Sequence, residues 1–204
     1  MSFEENDKKD EIEIKTILIG NSGVGKTNLI NTSVGLNFDE ESFATTSSTF
    51  VQKRMTINNK EYILNIWDTA GQEMYESITK IFLKNAQIVV FVYSITDLQS
   101  FNNLEKWMEL CKEMIDNDYV SGIVGNKKDL YKEEEQVTEE DGKKFAESKR
   151  MKFKLVSAKN NSESFDDFLE ELLGELVGGT SKIETRKTFI LKTETKKKKK
   201  KHRC

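Results

Sequence analysis

Apolar positions along the chain divide it into short strands and helices before any motif is considered. Ile12, Ile14 and then the unbroken Ile17-Leu18-Ile19 describe a first strand whose carboxyl end is buried on both faces. Thr27 to Ser33 can wind as a helix. From Gly35 to Ser48 the pattern dissolves into Gly, Asn, Asp, Ser and Thr, longer than a plain connection requires and so a candidate functional loop. Phe50 to Ile57 and Tyr62 to Trp67 carry apolar residues at strand spacing around Asn58-Asn59-Lys60, which predicts an antiparallel hairpin ending at Asp68. Gln87 to Tyr93 is a continuous Val-rich run suited to a covered parallel strand. Leu98 to Asp116 predicts one helix, with Phe101, Leu104, Trp107, Met108, Cys111 and Ile115 on one face, so Cys111 reads as a small buried hydrophobe.

Val120 to Gly125 and Phe153 to Val156 predict two further strands, separated by a helix over Thr138 to Ser148 that opens on a capping-box-like Thr-Glu-Glu-Asp. The last helix, Ser164 to Val177, has an apolar stripe of Phe165, Phe168, Leu169, Leu172 and Leu176 and stops at Gly178-Gly179. Strands alternating with helices after a single hairpin predict one α/β domain over 12–178, with a mostly parallel sheet of six strands, one of them antiparallel, and helices on both faces. Residues 1–11 read as a flexible leading segment, and 179–204, charged and poor in apolar residues, as a disordered tail.

Composition changes this picture mainly through charge. From Gly178 to Cys204 there are eleven Lys and Arg against two Glu, a balance of +9, so with −3 overall the preceding part carries −12. An acidic body argues against nucleic acid as a partner, while the polybasic run Lys196 to Lys201 beside the terminal Cys204 points to an anionic membrane surface. The longest apolar run, Ile88 to Tyr93, is too short to cross a bilayer, and Met1 to Asp10 lacks the pattern of a secretory signal. Two cysteines, Cys111 and Cys204, make a disulfide framework implausible, so a reducing compartment, the cytoplasm, is expected.

Candidate chemistry lies just after the strands, where ligands bind in open α/β sheets. Gly20-Asn21-Ser22-Gly23-Val24-Gly25-Lys26-Thr27 follows the first strand and opens onto a helix, the context of a phosphate-binding loop. Its glycines let backbone N–H groups and the helix N-terminus converge on an anion, Lys26 reaches the β- and γ-phosphates, and the Thr27 hydroxyl sits on Mg²⁺. After the third strand, Asp68 can hold Mg²⁺ through water, the Gly71 N–H can meet a γ-phosphate and Gln72 can orient an attacking water. After the strand at 120–125 comes Asn126-Lys127-Lys128-Asp129, where a carboxylate at 129 can accept from guanine N1–H and its 2-amino group, a pair adenine does not offer. Ser157-Ala158-Lys159 follows the last strand, and its N–H groups can face the guanine oxygen.

These motifs together resemble a small GTPase of the Ras superfamily over about residues 12–178, and Ile66 to Glu73, Tyr93 to Asp97 and Gly125 to Leu130 are most similar to the Rab branch. The resemblance implies a guanine-nucleotide switch that hydrolyses GTP slowly with Mg²⁺, works in vesicle trafficking as a monomer, and answers to an exchange factor, a GTPase-activating protein and effectors. It extends the nucleotide contacts to Asn28 and implies Phe38 as the aromatic beside guanine. Thr45 becomes the threonine that binds Mg²⁺ and the γ-phosphate, with Thr46 as its adjacent alternative. Two departures fall on the surface partners read: Thr46-Ser47-Ser48-Thr49-Phe50 stands where the branch usually has Ile-Gly-x-Asp-Phe, and Met74-Tyr75 where it has Arg and an aromatic. The tail ends in one cysteine instead of the usual two, so prenylation of Cys204 or a free thiol both stay open, with cycling to the cytosolic face of membranes implied by the former. Two rival readings remain: a P-loop ATPase or nucleotide kinase, in which Asp129 would have no purpose, and a nucleotide-locked scaffold that does not turn over.

Overall fold

The computed structural model of the chain describes residues 11–40, 49–69, 82–160 and 163–178. Among the described residues six strands form one sheet: β1 Ile12–Ile19, β2 Thr49–Ile57, β3 Lys60–Asp68, β4 Ile88–Ser94, β5 Val120–Asn126 and β6 Lys152–Leu155. Their order across the sheet is β2-β3-β1-β4-β5-β6, and only the β2–β3 hairpin pairs antiparallel. Asn58 and Asn59 take the positive φ values, 51° and 60°, that a tight hairpin turn requires. Helices among the described residues include α1 Lys26–Ser33, α2 Leu98–Asn102, α3 Leu104–Met114, α4 Glu139–Lys149 and α5 163–178.

Alternation along the strands builds a core on each face of the sheet. Leu18, Leu64, Ile66, Val90 and Val92 meet Leu29 and Ile30 of α1 and Phe165, Phe168, Leu169 and Leu172 of α5. Ile17, Ile19, Val89, Phe91 and Tyr93 meet Leu104, Trp107, Met108 and Cys111 of α3 and Ala146 of α4. Because β4 is buried along its whole length, its run of apolar residues serves both cores at once. Burial also pushes the Cys111 thiol up to about 12, so it packs as a hydrophobe and not as a nucleophile.

The expected helix over 98–116 is two helices. Asn103 stays near helical, at φ −79° and ψ −4°, but its carboxamide accepts from Gln99 Nε2 at 2.9 Å and donates to Asn21 Oδ1 at 3.3 Å, and the regular helix is interrupted there. At the other end α3 stops at Met114, because Ile115 turns extended and buries its side chain. The capping box of α4 forms as the sequence indicates, with the Asp141 N–H donating to Thr138 Oγ1 at 3.2 Å and the Thr138 N–H to Asp141 Oδ2 at 3.3 Å. A charged residue joins three elements that the apolar pattern does not connect: Lys53 on β2 donates to the Ser33 carbonyl at the end of α1 and to Asp166 on α5 at 2.9 Å.

Tyr93 carries a polar atom into the core. Its ring is fully buried against Phe101 at 5.0 Å, and its hydroxyl has no hydrogen-bond partner among the described residues, so burial raises its pKa. Tyr93→Phe removes that unpaired hydroxyl and is expected to leave stability unchanged or raise it by about 1 kcal/mol. A clear drop in the thermal unfolding midpoint would show that the hydroxyl is satisfied after all.

Candidate functional site

Strand register brings the predicted loops to one edge of the sheet. Leu18 pairs with Asp68, Ile19 with Phe91, Ser94 with Asn126 and Gly125 with Leu155, so the segments after β1, β3, β5 and β6 leave the same side. The loop after β1 is compact because it must be glycine at its tightest points. A Cβ on Gly20 would stand 2.0 Å from the Val92 carbonyl oxygen, and one on Gly25, at φ +92°, 2.4 Å from Asn126 Nδ2. Gly25 is also the N-cap of α1, which has no side-chain cap and no acidic residue in its first turn, so the positive end of the helix faces the loop.

Lys26 is 5% exposed, and its ammonium donates to the carbonyls of Gly20 and Asn21 at 2.8 Å each. Burial pulls its pKa down to about 8, partly countered by the Asp68 carboxylate. The next residue, Thr27, donates its hydroxyl to Asp68 Oδ2 at 2.7 Å, across 41 residues of sequence. Two hard oxygen donors meet beside a buried cation, which fits Mg²⁺ better than a softer metal. Among the described residues no group of three or more His, Cys, Asp or Glu can hold a metal, so an ion here would depend on phosphate oxygens and water for its other ligands. Thr69 closes this corner by donating its hydroxyl to the Leu18 carbonyl at 2.7 Å.

The base side is joined to the phosphate side through Asn126. Its Nδ2 donates to the Val24 carbonyl at 2.9 Å, and its Oδ1 accepts the Ala158 N–H at 3.2 Å, so one buried carboxamide holds three loops together. Lys127 adopts a left-handed backbone, φ 67°, and turns the chain so that Asp129 follows on a short 3-10 turn, Lys128–Leu130. Ser157 donates to Asp129 Oδ1 at 2.5 Å and accepts the Asn160 N–H at 3.0 Å, which orients the carboxylate. Lys159 places its ammonium 5.9 Å from the centre of the Phe38 ring, and Phe38 itself is half-buried against the core under α1 and α5. Thr45, its neighbour Thr46, Gly71, Gln72 and Cys204 lie outside the described residues.

Two sets of contacts escaped the sequence reading. Trp107, assigned to the apolar stripe, donates its indole N–H to Asn21 Oδ1 at 2.9 Å, which ties α3 to the first turn of the phosphate loop. A buried Trp needs a partner for its N–H, but spacing alone does not say which one. Phe50 stacks on Trp67 and Trp67 meets Phe82 at a tilt, with centroids 5.0 and 5.2 Å apart, and Phe50 is 50% exposed. Phe82 lies beyond the motif after β3 and had no periodicity to mark it.

A phosphate loop, a strand-end aspartate bonded to its threonine, and a carboxylate held for a base define a P-loop GTPase-type domain. The Ras family model matches residues 15–177. The chain is 44% identical over 152 residues to Ras-related protein Rab-11B of Dictyostelium discoideum, covering 74% of this chain and 69% of that protein. It is 37% identical over 177 residues to Ras-related protein Rab-2B of the same organism, covering 84% and 87%, and 36% identical over 170 residues to GTP-binding protein ypt3 of Schizosaccharomyces pombe, covering 81% and 79%. The chain therefore belongs to the Ras family and is a Rab-like small GTPase of vesicle trafficking. Its family hydrolyses GTP, generally with Mg²⁺, and proteins of the Rab type bind regulators and effectors and cycle between cytosol and membranes. No helix among the described residues is long and apolar enough to cross a membrane.

Proposed function

We propose that the chain is a GTP/GDP switch whose domain over 12–178 hydrolyses GTP slowly, with Lys26 on the β- and γ-phosphates, Thr27 and Asp68 toward Mg²⁺, and Asp129, Ser157, Ala158 and Lys159 around guanine. One observation carries this reading. Asn126 bonds both the phosphate loop at Val24 and the base loop at Ala158, so the two ends of the site are built as one unit. Bound Mg²⁺ would neutralise charge on the β- and γ-phosphates; the protein's part is to present the Thr27 and Asp68 oxygens and the Lys26 ammonium in fixed positions. Thr45, Gly71 and Gln72 complete the γ-phosphate side, and within residues 36–49 and 69–80 the parts that these groups hold are released on hydrolysis, which is the signal partners read.

Slow turnover is supported by where the arginines stand. Among the described residues they are Arg54, paired with Glu11 ahead of β1, and Arg150, which caps α4 just before β6. Both belong to the edge of the sheet away from the site, so an activating protein supplies the missing cation, worth about 10³ to 10⁵ in rate. The Phe50-Trp67-Phe82 stack supports an apolar surface for effectors next to the loops that change. The basic tail, with a prenyl group on Cys204, would give two membrane signals and cycling to the cytosolic face of intracellular membranes.

The test is single-turnover phosphate release from GTP bound to the full chain. Slow release is expected for the wild type, and Gln72→Leu is expected to lower the rate about tenfold while GTP stays bound. An unchanged rate removes Gln72 from the chemistry, and a wild type that binds GTP but releases no phosphate favours the locked scaffold. ATP competing as well as GTP would overturn the guanine reading altogether.

A further inference from the structure

Residues 38–40 are pinned at two separate places. The Asp39 N–H donates to Asn28 Oδ1 at 3.0 Å, and the Asp39 carbonyl accepts from Asn28 Nδ2 at 2.8 Å. The carboxamide therefore serves as a neighbouring peptide unit would, filling both backbone groups of one residue. It does so from the first turn of α1, where Asn28 is 6% exposed and directly follows Lys26 and Thr27. One residue further on, Glu40 forms an ion pair with the Lys159 ammonium, the group that also lies over the Phe38 ring. The segment thus runs from the phosphate side of the site to the guanine side, held to each by a side chain.

We propose that Asn28 and Glu40 are positioning residues that hold residues 38–40 as a strap between α1 and the Ser157-Ala158-Lys159 loop and thereby set how fast guanine nucleotide leaves. The inference rests on the nucleotide reading given above. Phe38 flanks the base only if the backbone around it is held, and the Asn28 and Glu40 contacts add to the packing of its ring against the core. The two anchors differ in kind. Asn28, itself buried, makes paired hydrogen bonds, and truncating it removes the side-chain partner of both backbone groups of Asp39. Glu40 and Lys159 are 73% and 48% exposed in their side chains, so their pair is screened by water and salt and contributes less. The Asn28 anchor should dominate.

The experiment measures release of N-methylanthraniloyl-GDP from the full-length chain, chased with excess GDP in the presence of Mg²⁺. Asn28→Ala is expected to speed release about tenfold, and Glu40→Gln two- to threefold, which about matches the loss of a buried and of an exposed interaction. The salt response separates an anchor from general loosening. The Glu40→Gln effect should vanish toward 1 M salt, where the Debye length is about 3 Å, whereas the Asn28→Ala effect should persist. Hydrogen exchange at the Asp39 amide of the GDP-bound wild type supplies a second reading if Asn28→Ala does not fold: protection is expected, and exchange at the rate of an open amide would overturn the strap. A wild type that holds no labelled GDP defeats the nucleotide reading, and the strap with it. A wild type that holds GDP while Asn28→Ala releases it at the same rate defeats the strap alone.

Discussion

Lys26→Met is expected to lower affinity for GDP and GTP by about 10³ or more while leaving the nucleotide-free protein no less thermally stable. The two halves of this result have one cause. The Lys26 ammonium is almost entirely buried, and burial holds it below its ordinary pKa, down to about 8, so its charge costs the fold more than an exposed lysine's would. Its partners are the carbonyls of Gly20 and Asn21, at 2.8 Å, which aim the ammonium within the loop where phosphate oxygens would arrive. Methionine keeps most of the volume and gives up the charge, so it relieves the cost of burial and forfeits the charge-assisted bonds to phosphate, each worth about 1.5–3 kcal/mol. Isothermal titration with GDP and melting curves with and without nucleotide measure both halves. Retained affinity would mean that phosphate is held by backbone N–H groups alone.

Asp129→Asn is expected to lower affinity for GDP about 10²- to 10³-fold and to erase much of the preference for GDP over IDP. The carboxylate is oriented by the Ser157 hydroxyl, at 2.5 Å to Oδ1, and Ser157 is itself buried and fixed by the Asn160 N–H. An acceptor aimed in this way suits the N1–H and 2-amino group of guanine. Asparagine replaces one of the two acceptor oxygens by an NH₂ group, which meets a donor of guanine instead of accepting from it. Inosine lacks the 2-amino group, so the wild type should prefer GDP over IDP about tenfold or more, and the variant should not. Competition of the two nucleotides against labelled GDP measures the ratio; an unchanged ratio would assign base reading to other groups.

Both substitutions fall on residues legible from spacing alone, and that is no accident of choice. Gly20 to Thr27 and Asn126 to Asp129 are contiguous motifs in which a strand end, a turn and a helix start impose a local backbone path. The strands themselves could be read because Ile88 to Ser94 is buried on both faces and the β2–β3 hairpin is bounded by Asn58-Asn59. The helix over 98–116 was harder. Its apolar face runs on through Asn103, whereas at the break Asn103 donates to Asn21, 82 residues away in sequence. Phe82 and the Lys53–Asp166 pair were invisible for the same reason, since their partners are chosen by packing between elements and not by the residues beside them.

By itself the sequence determined which chemical groups stand at the strand ends: a cation at 26, a hydroxyl at 27, carboxylates at 68 and 129, and the glycines that let backbone crowd around them. It also determined the class of fold, because hydrophobic periodicity is a local property that each segment carries with it. The tertiary structure decided which of those groups meet. Asn126 reaches Val24 across 102 residues, Trp107 reaches Asn21 across 86, and Ser157 reaches Asp129 across 28. Those meetings follow from strand order, with β1 between β3 and β4 and β5 between β4 and β6, and from a register that brings the strand ends to one edge. Hydrogen bonds form over about 3 Å, so contact is settled by where packed elements bring two groups and not by how many residues separate them.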